Sequence, residues 1–136
     1  MSLDGLQTAR DMMEMEYKVG DAVKQAGLLP DNNPKSKFGV QKTQYHYVPS
    51  TAIRALADVM KLGASKYGAY NWRDASVSAT VYYDAIRRHL DAWFDGEDID
   101  PESGRSHLAH AMACAAICID AMSVGKFNDD RYKLNK

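Results

Sequence analysis

Residues 106–124 read SHLAHAMACAAICIDAMSV, and this stretch decides the fold. Nearly every side chain in it is small or apolar, the exceptions including one acid, Asp120, and two imidazoles, His107 and His110. Leu108, Ala111, Met112, Ala115, Ile119 and Met122 recur at three- and four-residue steps, the spacing of a single helical face. A second face carries His107, His110, Cys114 and Cys118. Two such faces predict a central, well-covered helix from about Ser106 to Val124. Its alanines favour helix and allow close neighbours. Its most apolar part, Leu108 to Val124, makes a poor membrane span, because it is alanine-rich and holds His110 and Asp120. Cys114 and Cys118 point the same way off the helix and read as small buried groups, not as a disulfide.

Outward from this helix, the chain reads as a bundle of about four main helices, an all-α fold. A third helix is expected over Ser78 to Phe94, with Tyr82, Ile86, Leu90 and Trp93 on one stripe and Val81, Ala85 and His89 beside it. A second is expected from Ser50 or Thr51, after Pro49, to Gly68, with Ile53, Leu56, Ala57, Met60 and Ala64 as its apolar face. The first runs from about Asp4 to Ala26 and stops at Gly27. Between the first and second lies a connector, Leu29 to Pro49, broken by three prolines, whose Lys35, Lys37 and Lys42 read as a solvated surface.

The whole chain has 136 residues, 46% of them hydrophobic and 26% charged, with a formal net charge of −1. That length predicts one domain. Near-neutral charge argues against general nucleic-acid binding, which needs a cationic surface, yet leaves room for a small phosphorylated ligand held by a few local cations. Met1 to Arg10 has neither the basic start nor the apolar core of a secretion signal, so a soluble cytoplasmic protein with no membrane partner is expected.

Chemistry concentrates between the third and fourth helices. Asp95, Glu97, Asp98, Asp100 and Glu102 put five carboxylates in eight residues, and like charges this close are relieved when a divalent cation shares their oxygens. His89 flanks the loop on one side, and His107 and His110, three apart on one helical face, flank it on the other. An EF-hand fails on spacing: Gly104 falls one place late and Ala109 stands where the last ligand belongs. A zinc site from His107, His110, Cys114 and Cys118 fails on length, its ends lying roughly 16 Å apart at ~1.5 Å per residue. Oxygen-rich coordination of Mg²⁺ or Mn²⁺ fits the loop better. Lys66 and Arg88 offer charge for phosphate oxygens, and Asn71 and Trp72 offer hydrogen bonding and stacking for a base.

Three strings in this order resemble one family. Leu62-Gly63-Ala64-Ser65-Lys66-Tyr67-Gly68-Ala69-Tyr70-Asn71-Trp72-Arg73 is similar to its GAxKYGxxNW signature, and Arg88-His89-Leu90-Asp91-Ala92-Trp93 to its RHLxAW. Gly96 to Gly104, followed by Ser106 to Ala111, resembles GEDxDPESGxxHLAHA. The family is the phage-type dATP/dGTP diphosphohydrolases, related to the MazG-like all-α nucleotide pyrophosphohydrolases, and the likeness runs from about Val48 to Met122. It implies a helical bundle, an Mg²⁺ or Mn²⁺ requirement, release of pyrophosphate from a purine deoxynucleoside triphosphate, and a homo-oligomer (dimer or tetramer) whose subunits complete each other's pockets.

MazG-like enzymes hold metal with E-x-x-E and E-x-x-D helices. Here the third helix has no such pair and the fourth has His107-x-x-His110. The resemblance therefore transfers the metal role to Glu97 and Asp98 first, Asp100 next, and then His107 and His110. Glu97, Asp98 and His107 become the expected catalytic residues, with Lys66, Asn71, Trp72 and Arg88 binding substrate. The expected reaction is metal-assisted hydrolysis of dGTP, with dATP and GTP as further candidates, to monophosphate and pyrophosphate. The rival readings are a non-enzymatic helical module that senses nucleotide or binds a partner, and an HD-type phosphohydrolase releasing other products.

Overall fold

The computed structural model describes residue 11 and residues 29–134. The helix expected over Asp4 to Ala26 lies, Asp11 aside, outside the described residues. The chain divides into two units, Met1–Gln44 and Tyr45–Lys136.

In the first unit the expected irregular connector contains a short helix, α1 (Pro34–Gly39). Asn33 caps it by accepting the Lys35 amide at 3.0 Å, and Pro34 fits its first turn because no partner for a proline N–H is needed there.

The second unit is all-α in its long elements. After a 3-10 turn at Tyr45–Tyr47 come α2 (Ser50–Tyr67), the short α3 (Asn71–Asp74), α4 (Ala79–Phe94) and α5 (His107–Ser123). The three long helices start and stop within a residue or two of where capping and glycine signals put them. Two-residue strands tie their ends. β1 (Val77–Ser78) runs parallel to β4 (Phe127–Asn128). β2 (Ile99–Asp100) pairs antiparallel with β3 (Arg105–Ser106), folding the acidic loop into a hairpin. Gly104 closes that hairpin at φ 68°, where a side chain would be strained, and donates to the Asp100 carbonyl at 2.8 Å.

α5 packs along α4 and, less extensively, along α2. Against α2 it buries Ala109 and Ala113 on Val59, with Leu56 and Met60 alongside. Towards its C-terminal end Ala121 meets Trp72 and Val77, with Tyr82, Ile117 and Phe127 around them. Asp120 pins α3 to α5 by accepting the Trp72 indole N–H at 2.7 Å and two Arg73 guanidinium N–H groups at 2.8 Å. Those bonds hold its carboxyl down at about 2. Ser78 makes no side-chain cap on α4, and Asp130 fills the role by accepting the Thr80 amide at 2.9 Å.

The apolar faces sit differently from the expectation. On α5 the expected stripe buries Ala111 but leaves Leu108 (42%), Ile119 (66%) and Met122 (53%) exposed, while Ala109, Ala113 and Ala121, outside it, are buried. Small side chains let α2 and α4 come close, so within this unit the closest contacts fall on alanine, Ile117 packs beside them, and Leu108, Ile119 and Met122 face outward. On α2 the expected face holds in part: Leu56 and Met60 pack beside buried Val59 and Ala64 is half-buried, while Ile53 and Ala57 are exposed. No helix among the described residues is long and apolar enough to cross a membrane.

Candidate active site

α2, α4, α5 and the β2–β3 hairpin line a half-open cavity of about 580 Å³. One part of its wall is apolar, with Met60, Trp72, Tyr82 and Ile117. Another is ionic, with Lys66, Arg88, His89, Asp100, Glu102 and His110. Gly63 and Ala64 contribute a wall without bulk on α2. Size, shape and this division of polarity suit a small ligand with an apolar body and an anionic tail.

Three imidazoles converge on the ionic part. His89 comes from α4, and His107 and His110 from the first turn of α5. His89 Nδ1 lies 2.9 Å from His107 Nδ1, and His107 Nε2 lies 2.7 Å from Glu97 Oε1. The His89 ring stacks on His110 at 4.4 Å with only 6° between planes. His110 Nε2 meets Ser103 Oγ at 2.7 Å and Asp100 Oδ2 at 3.5 Å. His107 is buried at 4% exposure. Ser103 beside His110 is no nucleophile–base triad, because Asp100 approaches the nitrogen that faces Ser103 and so leaves Nδ1 without an orienting carboxylate.

Burial pushes the His89 imidazole below the usual histidine range, and neighbouring His110 and His107 add to the shift. His110 is lowered for the same leading reason, against the opposing pull of Asp100. For Asp100, burial acts upward but is outweighed by hydrogen bonds from Ser103 and the Glu102 amide and by His110, so its carboxyl ends below its ordinary value. At neutral pH this part of the cavity therefore holds an ionised carboxylate beside two neutral rings.

The residues named from sequence are distributed unevenly. Lys66, Asn71, Trp72, Arg88, Asp100, His107 and His110 all line the cavity. Glu97 is tied to it through His107, whereas Asp98 is exposed and not part of its wall. The five loop carboxylates do not gather round one point: Glu97 turns to His107, Asp100 to His110, and Glu102 to Lys66 at 3.7 Å. Trp72 is 8% exposed and its N–H is spent on Asp120, so it lends the cavity part of its ring surface as a fixed wall. The Asn71 side chain, by contrast, makes no hydrogen bond among the described residues. Arg87 turns to Asp91, while Arg88 forms no ion pair among them. His89, Glu102, Ser103 and Tyr82 also belong to the site. His89 stands in the RHLxAW string and flanks the acidic loop, which was the signal available for it.

A divalent ion suits this donor set by chemistry, since carboxylates and imidazoles stand together in the cavity's ionic part. Among the described residues, no three such groups already form a ligand set. An ion would have to draw Asp100, Glu102 and His110 from Ser103 and Lys66. His107 has both ring nitrogens engaged.

The chain belongs to the family described as dATP/dGTP diphosphohydrolase, N-terminal, which residues 32–131 match. A curated relative from Salmonella phage PMBT28, named dATP/dGTP diphosphohydrolase, is 27% identical over 95 residues, covering 70% of this chain and 32% of that protein. The chain thus spans about a third of that relative's length. No solved structure matches.

Proposed function

We propose that the cavity is the active site of a diphosphohydrolase that converts a purine deoxynucleoside triphosphate, dGTP first and dATP or GTP as further substrates, into monophosphate and pyrophosphate. The observation that carries this reading is the two-part cavity, in which an apolar wall adjoins Lys66, Arg88, His89, Asp100 and His110 in one half-open cleft. The family match and the name of the phage relative point the same way.

In this reading the base lies along Met60, Tyr82 and the Trp72 ring, and the Asn71 amide, which can both donate and accept, meets a polar edge of the purine. Lys66 and Arg88 neutralise phosphate oxygens, Lys66 exchanging Glu102 for the ligand. Asp100, His110 and Glu102 would hold Mg²⁺ or Mn²⁺, with Glu97 and Asp98 more remote. Such an ion, when bound, offsets charge on the phosphates and acidifies a coordinated water. The outward line of Leu108, Ile119 and Met122 on α5 supports a homo-oligomer. The proposed setting is soluble and cytoplasmic, the host cytoplasm for a phage-encoded chain.

The test is pyrophosphate release from a panel of deoxy- and ribonucleoside triphosphates with Mg²⁺ or Mn²⁺. Purine deoxynucleotides, dGTP foremost, are expected to turn over. Nucleotide binding without turnover would instead identify a sensing module, and orthophosphate or tripolyphosphate as product would indicate different chemistry.

A further inference from the structure

Resting on the diphosphohydrolase reading, we propose that Tyr70 is a positioning residue for the base. Its left-handed backbone and its ring hold the turn from which Asn71 reaches the purine, and so set affinity for the nucleoside part of the substrate.

The backbone is the first observation. The chain leaves α2 at Gly68 and enters α3 at Asn71 through a four-residue turn, the Asn71 amide donating to the Gly68 carbonyl at 3.3 Å. The third place of that turn is Tyr70, at φ 55° and ψ 27°. Such a place is ordinarily glycine's, because in the left-handed region a Cβ crowds the following carbonyl. Among the described residues every other positive φ belongs to a glycine, at 68, 96, 104 and 125.

The second observation is what holds the tyrosine there. Its ring centroid lies 5.3 Å from that of Trp72, and the Arg73 guanidinium carbon lies 4.9 Å from it. Trp72 and Arg73 are both fixed in turn by Asp120 of α5. The Tyr70 carbonyl completes the bracket by accepting the Arg73 amide at 2.9 Å. The side chains of Tyr70, Trp72 and Arg73 are thus committed to one another or to α5, and that of Asn71 is not. It lines the cleft and makes no hydrogen bond among the described residues. Tyr70 is itself 58% exposed and outside the cleft wall, so it acts through its neighbour.

Strain of this kind persists where the surroundings over-determine it, and here they fix the amide that faces the cleft. An amide already held in place loses little freedom when it meets a ligand. In a relaxed turn the nucleotide itself would have to order Asn71. That loss falls on the base, whereas Lys66, Arg88 and Asp100 lie in the ionic part of the cleft and keep their hold on the phosphates.

The test compares Tyr70→Phe, Tyr70→Ala and Tyr70→Gly in the full chain, with dGTP and Mn²⁺, and with inorganic pyrophosphate as inhibitor. Tyr70→Phe keeps the ring and should hold KM within about twofold of wild type. Tyr70→Ala and Tyr70→Gly should raise KM about tenfold with kcat within about threefold, the pattern of lost binding, and leave inhibition by pyrophosphate within about twofold. Melting separates backbone from ring. Both variants lose the ring, but only glycine is at ease at this φ, so Tyr70→Gly should melt above Tyr70→Ala by about 4 °C or more. Should the alanine variant fail to fold, the glycine variant carries the kinetics. A KM unmoved in Tyr70→Gly, or one that rises together with the inhibition constant of pyrophosphate, overturns the positioning role while wild-type turnover keeps the hydrolase reading. Tyr70→Gly melting at or below Tyr70→Ala overturns it too. A wild type that neither binds nor cleaves dGTP removes the hydrolase reading, and this role with it.

Discussion

Val77→Ala tests how the apolar wall of the cavity is held. Val77 is 1% exposed and packs on Trp72 and Ala121, the contact that anchors α3 to α5. The substitution removes two buried carbons, at about 0.8 kcal/mol each, or about 1.6 kcal/mol in transfer. Incomplete collapse of the space adds to this, for a total of about 2–3 kcal/mol. The residue also sits in β1 opposite Phe127, which limits how far the backbone can relax. For a unit of this size each kcal/mol moves Tm by about 4–8 °C, so a drop of at least about 8 °C is expected. Urea unfolding followed by tryptophan fluorescence should show a lower midpoint with unchanged slope. Val81→Ala is the control, since it deletes the same two carbons from a side chain 61% exposed and should shift stability by less than about 0.5 kcal/mol. Equal losses in the two variants would refute the packing argument.

Further expectations concern the site and its supports. Asp100→Asn should reduce pyrophosphate release by about 100-fold or more without changing helix content, measured by steady-state kinetics and circular dichroism. Chelating divalent ions should abolish turnover, and Mn²⁺ or Mg²⁺ should restore it, whereas persistent turnover in chelator would remove the metal from the mechanism. Arg88→Ala should raise KM for the triphosphate far more than it weakens binding of the parent nucleoside, as calorimetry would register. The Asp120 carboxyl, held at about 2 by Arg73 and Trp72, adds stability that is fully present above its ordinary value near 3.8 and fades as pH falls through about 2. Asp120→Asn should therefore melt lower than wild type at pH 7, with the gap closing below pH 3.

The helix ends were legible because their signals are local: Pro49 before α2, Ser106 capping α5 through the Ala109 amide at 3.4 Å, and positive-φ glycines at 68, 96 and 125 near the ends of the long helices. The buried faces were less so. Periodicity says that Leu108, Ile119 and Met122 share a face, but not which face the neighbours choose, and here they chose alanine. Trp72 and Asp120 stand 48 positions apart, and no local pattern announces that one anchors the other. The acidic loop was legible as a charged cluster. Its partition among His107, His110 and Lys66 arises from the hairpin and from two helices meeting, which charge spacing alone does not encode.

The most direct measurement is pyrophosphate release from dGTP by the wild-type chain with Mn²⁺, run beside Arg88→Ala and Asp100→Asn at equal folded concentration. Rapid production of dGMP and pyrophosphate by the wild type, largely lost in both variants, is the expected result. Unaltered turnover in both variants, or none in the wild type, would place the chemistry elsewhere than in this cavity.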